Sequence, residues 1–204
     1  SAFAAAGLDE ALIADPECRV SIVKLGKFAA EIAKLIDRPD LGLLVAKTFG
    51  RHSLGLVLLL AQEGPNVRSF LLNIAQLLKH HNECAYLSLT ESDGDAMLRY
   101  ELREPEFEGA DIVIAAALGN AFRVMRRFCG EAWRPSEVRF SMKRPRKIGP
   151  FETYFEAPVR FGSLLDELIF PSRWLDHPVT PVPVGDGRGA LPPTAWDFTD
   201  QVCH

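Results

Sequence analysis

The sequence predicts an α+β fold, an N-terminal helical layer packed on a small antiparallel or mixed sheet, with elements running helices, then β-β-α-β-β-β. Three observations predict it. Apolar residues recur every three or four positions through the first eighty residues, and the period falls to two at Cys84. One long helical stretch, from about Ala110 to Cys129, then separates the first two strands from the last three.

Each element has its own signal. In RVSIVKLGKFAAEIAKLID the residues Val20, Ile22, Val23, Leu25, Phe28, Ala29, Ile32, Ala33, Leu35 and Ile36 recur mainly at three and four, as an amphipathic helix requires, and Pro39 ends the helix. A short helix over Leu41 to Phe49 follows. The apolar run Leu54 to Ala61 then reads as a helix buried on most sides, closed by Gly64 and Pro65. Asn66 is placed to cap the next helix, where Val67, Phe70, Leu71, Ile74, Leu77 and Leu78 share one face that His81 continues. CAYLSLT and AMLRYEL alternate about the turn Ser92-Asp93-Gly94-Asp95, which predicts a hairpin. The helix from Ala110 starts apolar all round and ends on Arg123, Arg126 and Arg127 before Gly130. Beyond it come a strand EVRFSM, a loop KRPRKIGP, a short helix Phe151 to Phe155, and strands APVRFG and DELIFP. After Val179 the chain turns rich in proline and glycine without a periodic stripe, so 1–179 reads as the folded domain and 180–204 as a linker or tail.

At 204 residues, 48% hydrophobic and 25% charged, the chain can bury a core without disulfides or a structural metal, and disorder and fibrous repeats are excluded. Cys18, Cys84, Cys129 and Cys203 are scattered with no CxxC pair, which predicts free thiols in a reducing, cytoplasmic compartment. No apolar window reaches about eighteen residues and the start SAFAAAG has no basic n-region, so neither a spanning helix nor a signal peptide is expected. The net charge of −4 argues against a surface built throughout to neutralise phosphates. It is an uneven average. From Arg123 to Lys147 the balance is +7, and the rest of the chain carries −11. The plain reading of that stretch is a solvated face with a basic helix end.

No GxSxG elbow, HExxH or phosphate-cradling loop is present, and Gly185-Asp186-Gly187-Arg188-Gly189 follows no strand and opens no helix. Neither a catalytic residue nor a cofactor is expected. His80, His81 and Cys84 form a metal-like cluster, since imidazole and thiolate suit zinc, but ordinary packing explains them as well. His81, Tyr86, Arg99 and Tyr100 fall where the preceding helix meets the hairpin and are the candidate lining of a small-molecule pocket; Tyr100 reads equally as core.

WRPSEVRF (133–140), YFEAPVRFG (154–162) and DELIFPSRWLDHPV (166–179), in that order, resemble the N-terminal effector domain of AraC-type transcription regulators, in the arabinose-binding-like subgroup. The helices of 7–46 and the helix-hairpin segment 52–102 agree with its order of elements, so the resemblance covers roughly residues 7 to 179.

That resemblance implies a bacterial, non-enzymatic, cytoplasmic sensor that binds a small effector, forms a homodimer, and passes its signal to a C-terminal helix-turn-helix domain. The family's effectors are diverse, so arabinose does not carry over. The two helix-turn-helix units expected of a full-length member are absent from these 204 residues, which reads as an excised sensor domain that touches DNA only through the missing part. Within this reading, Arg123, Arg126, Arg127, Arg134, Arg139, Lys143, Arg144, Arg146 and Lys147 are candidates for holding an anionic effector such as a nucleotide, or for lying beside DNA held by the neighbouring domain. The alternatives are a metal-binding protein or small-molecule enzyme using His80, His81 and Cys84, and a ligand-free interaction module whose apolar helices 54–61 and 112–118 serve only as core and interface.

Overall fold

A computed structural model describes residues 2–9, 20–48, 64–81 and 84–179. The expected apolar helix 54–61 and the tail 180–204 lie outside the described residues. Helices α1 (Ala2–Ala6), α2 (Ile22–Leu35), α3 (Leu41–Thr48) and α4 (Val67–His81) precede a hairpin of β1 (Ala85–Ser92) and β2 (Asp95–Leu102). Then follow α5 (Ala110–Cys129), β3 (Glu137–Phe140), α6 (Gly149–Phe155), β4 (Val159–Phe161), β5 (Glu167–Pro171) and a 3₁₀ turn over Ser172–Asp176. The α+β expectation holds; α1 and the 3₁₀ turn are additions to it.

The strands form one sheet in the order β1-β2-β5-β3-β4. The β3–β4 pair is parallel and the other pairs are antiparallel, so the sheet is mixed. The hairpin register pairs Ser92 with Asp95 across Asp93-Gly94, whose φ values of +54° and +86° are those of the tight turn that matches strand twist.

Alternation decides the two faces of the sheet. Leu98, Val138, Phe140, Leu168 and Phe170 are buried on the inner face with Phe70, Leu118, Phe122, Met125 and Trp133. Asn66 caps α4 as expected: its Oδ1 accepts from the Ser69 backbone N–H at 3.0 Å, and Ser69 Oγ donates back to the Asn66 carbonyl at 2.8 Å.

Helix α5 carries its partners at unusually short range. A Cβ on Gly119 would lie 2.7 Å from the Ala46 Cβ, and one on Gly42 would strike the Ile112 carbonyl and lie 2.9 Å from the Ala115 Cβ. Before α5, Gly109 (φ +86°) presses on the backbone of Gly26 in α2, and Gly26 lies against the Phe107 ring and the Glu108 carbonyl. Glycine is required at these contacts by space, and at Gly109 by its backbone angle as well.

Buried Asp40 accepts two bonds from Arg38, at 2.8 and 2.6 Å, and its carbonyl accepts from the Leu43 and Leu44 N–H groups that open α3. The guanidinium holds the Asp40 carboxyl below its ordinary pKa. Cys129 is a buried free thiol, pushed up to about 12 by desolvation. Cys84 corrects the expectation of free thiols, because it is disulfide-bonded. Spacing along a chain without CxxC pairs says nothing about which sulfurs meet in space.

Two outcomes follow. Gly119→Ala should lower unfolding free energy by about 1–3 kcal/mol in urea titration, although helix propensity favours alanine by about 1 kcal/mol, and adding Ala46→Gly should restore part of the loss. Asp40→Asn should destabilise at neutral pH, with the difference from the parent fading as pH falls below about 4. A depressed carboxyl pKa contributes stability above the unfolded value and loses it as pH falls through the folded one; melting curves across pH check this.

Candidate functional site

A groove of about 350 Å³ opens where α2, the start of α5 and the loop between β3 and α6 meet. Ala30, Ala33 and Lys34 of α2 form one wall, continued by Pro39. Glu108, Gly109, Asp111 and Ile112 form the second, and Met142, Lys143, Pro145 and Phe151 the third. The glycine contact between Gly26 and Gly109 sets the first two walls side by side. Asp166 anchors the third: its carboxylate accepts from the Ser141 N–H and the Ser141 hydroxyl, both at 2.7 Å. Burial raises the Asp166 pKa, and the two serine bonds oppose that shift.

The groove has an apolar floor and a charged lip. Lys34 reaches Glu108 at 2.6 Å and Glu31 at 2.9 Å; these bonds raise the lysine's pKa and lower that of Glu108. Such exposed pairs add little stability, so the lip can rearrange around a guest at small cost. Lys143 and Asp111 place one further charge of each sign on the rim. A volume in this range, mostly apolar walls and a few polar groups suit a small organic molecule.

The sequence candidates are distributed differently. Register sets Leu87 opposite Tyr100 on the inner face and Ser88 opposite Arg99 on the outer face. Tyr100 packs against the core, and burial pushes its hydroxyl pKa up. Tyr86 and Arg99 belong to the outer face, so Tyr86, Arg99 and Tyr100 do not converge from one side. Arg99 instead donates to Glu167 at 2.8 Å, and Arg139 donates to the same carboxylate at 3.0 Å. Glu167 is thus buried between two guanidinium groups. His80 and His81 end α4, but their side chains lie outside the described residues. The disulfide at Cys84 removes the thiolate that a metal site there would need. Among the described residues no group of three metal-ligating side chains occurs.

The basic stretch divides. Arg123 donates to the carbonyls of Ala46 and Lys47 at 2.5 and 2.6 Å, closing the C-terminal end of α3. Arg126 pairs with Glu156 and Glu131, Arg134 with Glu156, Arg139 with Glu137 and Glu167, and Lys147 with Asp37. Arg127, Lys143, Arg144 and Arg146 are exposed and form no ion pair among the described residues. Among the described residues, Lys143 is the one sequence candidate that lines the groove. The other walls carried no sequence signal, since they come from three distant segments.

The family described as the N-terminal arabinose-binding domain of AraC transcription regulators matches residues 1–179. The chain belongs to this family. That membership makes the chain a regulatory ligand-binding domain of the kind found in transcription regulators. The crystal structure of the transcriptional regulator CdpR from Pseudomonas aeruginosa superposes with a TM-score of 0.59 at 18% identity, over 75% of this chain and 50% of that one. The chain therefore spans about half the length of that regulator. No curated protein matches significantly. No helix among the described residues is long and apolar enough to cross a membrane.

The division of the arginines is testable. Arg123→Ala should cost about 1 kcal/mol in chemical denaturation by uncapping α3, whereas Arg127→Ala should stay within about 0.5 kcal/mol of the parent.

Proposed function

We propose that residues 1–179 are the effector-sensing and dimerising domain of a bacterial AraC-type regulator, and that the groove between α2, the start of α5 and the β3–α6 loop receives the effector. Family membership supports the regulatory role. The groove carries the site assignment, because it joins an apolar floor to a charged rim at a junction of three segments that are distant in sequence.

In this reading the protein acts in the cytoplasm, and DNA is recognised by a C-terminal helix-turn-helix unit joined through the Pro/Gly-rich residues 180–204. Signalling is a population shift. An effector that fits one spacing of the α2, α5 and loop walls better than another stabilises that arrangement, and the bias passes to whatever packs on these elements.

A metabolite library screened by thermal shift should yield one compound class that raises the melting temperature, by about 2.7 kcal/mol of stabilisation at a hundredfold excess over Kd. Ala33→Trp, which fills the groove, should abolish that shift, while Tyr86→Ala on the outer sheet face should keep it. The site assignment fails if the shift survives Ala33→Trp, and the sensor reading fails if no compound stabilises the domain.

A further inference from the structure

We infer that the loop Lys143-Arg144-Pro145-Arg146-Lys147 is a contact for the phosphate backbone of duplex DNA. It places four cations within five residues of a chain whose net charge is −4. The structure removes the neighbouring arginines from consideration, since Arg123, Arg126, Arg134 and Arg139 are held by carbonyls and carboxylates of the fold. Lys143, Arg144 and Arg146 are left exposed, with no ion pair among the described residues, and Lys147 has only the exposed Asp37. Three nearby cations without an ion-pair partner make a local positive patch on an acidic domain, which a polyanion can meet without breaking an existing pair.

The loop is also held in place. Asp166 fixes Ser141 at 2.7 Å, the Gly162 N–H donates to the Met142 carbonyl at 3.0 Å, and the Phe151 N–H donates to the Ile148 carbonyl at 2.9 Å as α6 begins. Pro145 restricts the middle and is half-buried in the groove wall. Much of the entropy of ordering these side chains' backbone is therefore spent before any partner arrives.

The arrangement selects among anions. A small anionic ligand needs donors that converge in an enclosed site, whereas these side chains are spread along an exposed loop, which suits an extended polyanion that releases counterions. No residue between 143 and 147 offers an exposed apolar side chain for a bilayer. Membership of a transcription-regulator family puts duplex DNA within reach. The inference uses that membership alone, so failure of the effector groove leaves it standing, and its own failure leaves the groove standing.

The test is fluorescence anisotropy of the full 204-residue chain with a labelled random-sequence duplex between about 50 and 200 mM salt. Binding should weaken with a slope of log K against log salt of about −2.7, as for three phosphates, and two unrelated duplexes should bind alike. The triple variant Lys143→Ala, Arg144→Ala, Arg146→Ala should lose tenfold or more in affinity at the lower salt and flatten the slope. A control triple of exposed cations elsewhere, Lys24→Ala, Arg103→Ala, Arg173→Ala, should change affinity by less than threefold. Circular dichroism melts establish that both variants are folded. Absence of binding by the parent chain at the lower salt, a flat slope, or equal losses in the two triples overturns the inference. So does loop-dependent binding to anionic lipid vesicles with none to DNA.

Discussion

The close approach of helix backbones around α5 is the constraint on which the rest of the domain depends. Gly42 and Gly119 let α3 and α5 approach until the Ile112 carbonyl and the methyl groups of Ala46 and Ala115 lie against glycine, and Gly26 and Gly109 let α2 touch the turn that opens α5. At such range the packed backbones leave no slack for a one-methyl change. The spacing of α2 from α5 is the width of the groove, so the contact that stabilises the helical layer also shapes the candidate site.

Charge in this domain follows a consistent rule. Buried carboxylates are each matched: Glu167 by Arg99 and Arg139, Asp40 by Arg38, and Asp166 by the two donors of Ser141. Leaving any of these charges buried without its partner would be costly, so the matching arginines serve the fold and are not available to a ligand. Three cations without such an assignment, Lys143, Arg144 and Arg146, lie within four residues of one another in the loop at the edge of the groove. Structural electrostatics and interaction surface are thereby separated within one short stretch of sequence.

Period and punctuation made much of the fold legible. The stripe from Val67 to Leu78, the alternation on either side of Asp93-Gly94 and the basic end of α5 each appear where their local signals place them, because helix and strand periods are local properties. The order of motifs also disclosed the family. Three things were not legible. The groove draws on positions near 30, 110 and 143, and no short-range pattern links them. Small residues such as Gly42 and Ala46 read as weak helix formers, when their role is to admit another backbone. The partner of Arg99 was the third, because Glu167 lies in a strand distant in sequence and nothing local pairs the two.

Hydrogen–deuterium exchange of the domain, with and without the compound that stabilises it most, tests the central claim most directly. The account predicts added protection in α2 around 30–34, at 108–112 and across 142–145, with the outer face of β1 and β2 unchanged. Protection confined to the hairpin around Tyr86 and Arg99, with these three segments unaffected, would contradict it.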